Sequence, residues 1–145
     1  MELLKQPYQY KVRLTEPGAI RLIELQPSLE PEAAIKCTLL HRTFSELNDE
    51  LIYHYCALSY VWGTSFHHRS VTIDDEEVRI TVSLETALRH LRDPVLPRYL
   101  WADAICINQD DDDEKAVQVA QMGEVYKAAR HTIIRLGEAS SFELP

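Results

Sequence analysis

The architecture turns on HYCALSYVWGTSFHH, residues 54–68. Its centre, YCALSYV, is apolar almost without a break, the pattern of a strand covered on both faces. The run then stops at Ser59, Tyr60, Trp62 and Gly63 rather than at an ordinary turn. An indole is costly to leave in water, and a glycine beside it opens backbone angles that other residues avoid. Such an ending is either a corner of the core or the lip of a binding site.

Downstream, VTIDDEEVRIT (71–81) reads as a hairpin with its turn at Asp74 to Glu77. Ser83 is a good N-cap for a helix carrying Leu84, Ala87, Leu88 and Leu91 at i, i+3, i+4 and i+7, which Pro94 and Pro97 end. YLWADAI (99–105) is a second apolar strand, leading into Cys106, Ile107, Asn108 and Gln109. The acidic run from Asp110 to Glu114 opens a long helix with Val119, Met122, Tyr126 and Ala129 along one stripe. Residues 131–136 form a third apolar strand, ended by Gly137. Strand, helix, strand, helix, strand is the order of a parallel sheet with crossover connections. Segments 55–60, 99–104 and 132–136 are therefore expected to be neighbouring parallel strands.

Upstream, YQYKVRL (8–14) alternates apolar and polar residues as a half-buried strand does, and Pro17-Gly18 breaks it. Ala19–Leu25 reads as a second strand and 35–40 as a third, with Ile35, Cys37 and Leu39 on one face. Residues 42–52 read as a loop with a helical turn. The fold class is α/β: a central parallel sheet flanked by helices, with an N-terminal antiparallel β addition at one edge and a β-hairpin insertion.

At 145 residues the chain is expected to be a single domain, 1–145, cut from a longer protein, because it stops soon after the last strand. A net charge of −8, with Lys and Arg scattered, excludes a backbone-binding nucleic-acid protein. No apolar run has the length of a membrane span. Cys37, Cys56 and Cys106, odd in number and widely spaced in apolar segments, read as buried, reduced thiols in the cytoplasm.

Open α/β sheets bind ligands beyond the carboxyl ends of their strands. Here those ends carry Ser59, Tyr60, Trp62 and Gly63 on one strand, and Asp103, Asn108 and Gln109 after the next. Together they suit a polar ligand with an aromatic ring. In the plainer reading Asn108 and Gln109 cap the following helix and Asp103 bonds nearby backbone amides. The run DDDDEK complements a helix dipole without any metal. Cys106 as a nucleophile competes with Cys106 as a buried thiol, and nothing in its apolar surroundings activates it. The glycine-rich nucleotide loops and the hydrolase elbow are absent.

The blocks YCALSYVWG, SLETALRHLR, YLWADAICINQDD, EKAVQVAQMGEVYKAA and TIIRLGEAS together resemble the fungal heterokaryon incompatibility (HET) domain, in order and over about residues 20–140. Arg135 departs from the apolar or aromatic residue that the family usually places before Leu136-Gly137. The resemblance implies a domain active in programmed cell death after fusion of incompatible fungal cells. Its partners are regulatory or receptor domains, in the same or another protein. The family is distantly similar to the Toll/interleukin-1 receptor (TIR) fold, a flavodoxin-like sheet. ALSY matches that fold's first-strand box, and WADAICINQ the segment around its second strand. Some TIR domains cleave NAD with a glutamate on the helix after the fourth strand. The resemblance therefore implies NAD or a related nucleotide as substrate, with no bound cofactor and no metal. Glu138 and Glu143 follow the last strand here; Glu143 is the candidate catalytic carboxylate unless its equivalent lies past Pro145. Such a carboxylate holds ribose hydroxyls and stabilises an oxocarbenium-like transition state, while Trp62 or Tyr60 faces the nicotinamide. The alternative is a non-catalytic module that signals by self-association.

Overall fold

Apolar runs become strands and polar breaks become turns in the computed structural model, which describes residues 8–49, 54–60, 68–135 and 141–144. β1 (Ala19–Leu25) is buried at every position but Glu24, and β2 (Lys36–Thr43) pairs with it antiparallel. A capping box starts α1 (Phe44–Asp49): the Thr43 hydroxyl accepts from the Glu46 amide, and the Glu46 carboxylate accepts from the Thr43 amide. β3 (Cys56–Tyr60) is the centre of the opening stretch. β4 (His68–Ile73) and β5 (Glu76–Thr81) form a hairpin through Asp74 and Asp75, both at positive φ, as the tightest hairpin turns require. α2 (Val82–Leu91) buries Leu84, Ala87 and Leu88.

β6 (Arg98–Ala102) runs into the short α3 (Asp103–Cys106). α4 (Asp112–Ala120) and α5 (Met122–Ala128) lead to β7 (His131–Arg135) and β8 (Ser141–Leu144). One eight-stranded mixed sheet results, in the order β5-β4-β2-β1-β6-β3-β7-β8. β3 pairs parallel with both β6 and β7, as the three apolar runs predict. Among these parallel strands the chain order is second, first, third. The connection after β3 runs to β6, and the one after β6 passes back across β3 to reach β7. The antiparallel addition meets this unit where β1 pairs with β6, and the hairpin extends the same sheet beyond β2.

Several expectations are corrected. Residues 8–14 form no strand; they cross the sheet as a strap, with Tyr8 and Leu14 buried. The second apolar strand ends at Ala102, since the chain turns helical at Asp103. Thr81, not Ser83, caps α2: its hydroxyl accepts from the Leu84 amide at 3.2 Å. The long helix is two helices meeting at Gln121, whose ψ of 9° departs from helical geometry. Val119 faces solvent, and α4 instead buries Glu114 and Gln118. After β7 comes the antiparallel edge strand β8, with Glu143 opposite Ile133.

Candidate functional site

Leu58 of β3 lies opposite Ala102 of β6, so Ser59 and Asp103 are the next residues along these parallel neighbours. Residues two apart share a face of a sheet, which places Tyr55, Ala57 and Ser59 on one side of β3. α5 covers that side. The Tyr55 hydroxyl donates to the Val125 carbonyl, and the Tyr126 ring meets the buried Trp101 edge-on at 5.7 Å between centroids. Tyr126 also shares a hydrogen bond with Ser59 and feels the charge of Asp103. Burial pushes the Tyr126 phenol up, the Ser59 bond opposes this, and the Asp103 carboxylate adds to it. The phenol thus stays protonated at neutral pH and can act as a hydrogen-bond donor. Ser59, Asp103 and Tyr126 converge at the carboxyl edge of β3 and β6.

Of the other residues expected there, Trp62 and Gly63 lie outside the described residues. Tyr60 ends β3, in register with Arg135. Asn108 and Gln109 have local partners: the Asn108 side-chain carbonyl accepts from the Asp110 amide at 3.1 Å, and Gln109 Nε2 donates to the Asp103 carbonyl at 3.1 Å. Glu143 is on a strand, not a helix, two pairs back from the Arg135 end of β7.

The segment following Asp103 is held by an ion pair. Arg21 and Glu114 are only 4% and 3% exposed and meet at 2.7 Å. Glu114 also accepts from the backbone amides of Asn108 at 2.8 Å and Leu14 at 3.3 Å. Arg21 donates to the carbonyls of Cys106 at 3.0 Å and Val12 at 2.8 Å, and lies 4.4 Å from the centroid of Tyr10. Burial alone would raise the Glu114 carboxyl, but the Arg21 and backbone hydrogen bonds and the Arg21 charge hold it below the usual carboxylate range. Periodicity missed this pair, and it placed Tyr126 on an apolar stripe without marking it as a site residue. Glu114 stands in an acidic run that a helix dipole already explains, and a lone Arg in an apolar strand was the one available signal.

The remaining chemistry is bland. Cys37, Cys56 and Cys106 are free and buried. Cys106 is fully buried and burial pushes its thiol up to about 12, which favours the buried-thiol reading. Among the described residues no group of three or more His, Cys, Asp or Glu side chains could hold a metal. Asp111 caps α4, accepting from the Glu114 amide at 3.2 Å. No described helix is long and apolar enough to cross a membrane. A cavity of about 560 Å³ is lined by Tyr8, Tyr10 and residues of β2. Its walls mix Lys11, Lys36 and His41 with Asp74, whose carboxylate is already bonded by the Tyr8 hydroxyl and the Leu39 amide.

A model of the family described as "Heterokaryon incompatibility protein (HET)" matches residues 55–144, from the start of the opening strand to β8. The Neurospora crassa protein named "Heterokaryon incompatibility protein 6, OR allele" is 36% identical over 142 residues, which cover 88% of this chain and 20% of that protein. The chain thus spans about a fifth of the length of this curated relative. No solved structure matches it.

Proposed function

The chain belongs to the heterokaryon incompatibility family, and from that premise we propose that it is a cell-death effector domain whose crevice takes NAD or a related nucleotide and hydrolyses it in a TIR-like manner. The observation that carries the reading is the convergence of Ser59, Asp103 and Tyr126 where β3 and β6 end together. The order β6-β3-β7 supports the TIR likeness, because a flavodoxin-like sheet has the same second-first-third arrangement. Asp103 accepts from the ribose hydroxyls and stabilises positive charge developing at the anomeric carbon. The bond from that carbon to the nicotinamide nitrogen breaks, the electron pair leaves with nicotinamide, and water adds its oxygen to the carbon and releases a proton. Tyr126 and Ser59 hold the polar part of the ligand, and the aromatic surface is the one that the family resemblance implies for Trp62 or Tyr60. Glu143, the catalytic carboxylate that the resemblance implies, stands second to Asp103 here because it lies on the edge strand β8. Cytoplasmic action, with regulatory domains in the same or a partner protein, completes the proposal.

The test is nicotinamide release from NAD by the wild type and by Asp103→Asn, Tyr126→Phe and Glu143→Gln, each shown to be folded by thermal melting. The expected result is loss of turnover by about 100-fold or more in Asp103→Asn, the scale of losing one transition-state contact, with a smaller loss in Tyr126→Phe. A folded wild type that kills cells without consuming NAD would leave self-association as the working mechanism. Turnover abolished by Glu143→Gln alone would move the catalytic role to β8.

A further inference from the structure

At the opposite end of the sheet from Ser59 and Asp103, the amino ends of the three parallel strands frame a depression of about 450 Å³. It is lined by His54, Cys56, Pro97, Arg98, Tyr99, Arg130 and His131. Two arginines and two histidines surround it, with no carboxylate among the lining residues, although the chain carries a net charge of −8. Arg98 is fixed from within, donating to the Leu91 carbonyl at 3.3 Å and lying 3.8 Å from Cys56 Sγ. Arg130 and His54 are exposed. The nearby Glu24 carboxylate already accepts from the Tyr99 hydroxyl at 3.1 Å.

The other pole carries the complementary charge. β6 runs from Arg98 in the depression to Ala102, and the chain then reaches the start of α4 beyond the carboxyl ends. Asp111 there is engaged as the α4 cap and by Arg13 at 2.9 Å, but Asp110 and Asp112 are exposed. Arg13 approaches Asp113 at 3.5 Å and still leaves its side chain 94% exposed. One rigid sheet thus separates a basic hollow from an acidic projection.

We propose that the basic depression is a docking site for the acidic start of α4 in a second copy of this chain, so that the domains assemble head to tail. Two different patches meet, so the contact is heterologous and propagates into rings or open chains rather than closing as a two-fold dimer. Exposed charges supply its attraction, which makes assembly favourable at low ionic strength and weak at high salt. The joint does not depend on the crevice reading; it holds whether the domain turns over a nucleotide or only signals.

The experiment is sedimentation velocity on the full chain and two charge-reversed variants, Arg130→Glu and Asp112→Lys/Asp113→Lys, with thermal melts to confirm folding. The reversed side chains are surface groups, so both variants retain the core. Wild type is expected to sediment faster as its concentration rises at low salt and to return to monomer at about 0.5 M salt, where screening reaches only a few ångströms. Each variant alone should be monomeric, because one loses the exposed arginine of the hollow to a carboxylate that repels the α4 acids and the other sets lysines against the two arginines. An equimolar mixture of the two should assemble again, since the carboxylate introduced at position 130 of one meets the lysines introduced on the other. A monomeric wild type at low salt, assembly unaffected by either reversal, or a mixture of folded variants that stays monomeric would overturn the proposal. So would inorganic phosphate binding the wild type and not Arg130→Glu while the chain stays monomeric, because the hollow would then be an anion pocket.

Discussion

Glu114 joins the strap, β1 and the segment after α3 through its bonds to Leu14, Arg21 and Asn108. Its worth is best seen by asking what is left when one partner goes. Glu114→Gln keeps the shape but leaves the Arg21 guanidinium charged and buried without its counter-ion. Breaking a buried pair this way costs about 3–5 kcal/mol, whereas replacing both partners with apolar residues is often close to neutral. The expected result in urea unfolding is a large loss for Glu114→Gln and partial recovery in Arg21→Met/Glu114→Leu. Additive losses would mean that Arg21 is stabilised by its carbonyl partners and Tyr10 rather than by Glu114. Because the pair anchors the segment following Asp103, the double variant should also test whether position matters: it should fold yet bind crevice ligands more weakly.

At the scale of elements, α2 offers a direct contrast between two plausible caps. Thr81 and Ser83 both suit an N-cap, and only Thr81 has its hydroxyl on the Leu84 amide. Thr81→Ala should cost about 1 kcal/mol of unfolding free energy and Ser83→Ala a few tenths; equal costs would return the cap to Ser83. The same contrast shows what the sequence could carry. β3, β6 and β7 were legible because central strands need apolar residues on both faces, and the hairpin because Asp74-Asp75 suits positive φ. The strap was misread because Tyr8, Tyr10, Val12 and Leu14 alternate as a strand does, while their backbone finds no ladder. The break between α4 and α5 was hidden because α4 buries Glu114 and Gln118, residues that a hydrophobic pattern places outside. Gln118 and Gln121 both donate at 2.9 Å to the Ala19 carbonyl, a polar anchor without a periodic signature. Of the group at the strand ends, Ser59 and Asp103 follow from where β3 and β6 stop, but Tyr126 reaches them from a helix whose register depends on that break.

For the whole molecule, the buried acids and thiols set a pH range within which the fold is stable. Burial pushes the Cys37 and Cys106 thiols from 9.0 up to about 12. Burial also raises the phenols of Tyr8, Tyr10 and Tyr55 above their ordinary value of 10.0. Each group keeps its proton in the folded chain at a pH where the unfolded chain has lost it. The unfolded state then binds fewer protons, so stability falls as pH rises, first through the thiols from about pH 9 and then through the phenols. The slope is bounded at about 1.4 kcal/mol per pH unit for each group. Glu114 acts at the other end with the opposite sign. Its lowered carboxyl contributes stability above the usual carboxylate range, and this is lost as pH falls through the folded value. Urea unfolding at about pH 5, 7.5 and 10 should therefore give its highest value near neutrality. Cys37→Ala/Cys106→Ala, though less stable at neutral pH, should lose less between about pH 7.5 and 10 than the wild type. If both chains decline equally, the thiols titrate as freely in the folded state as in the unfolded one, and their burial in this sheet is wrong.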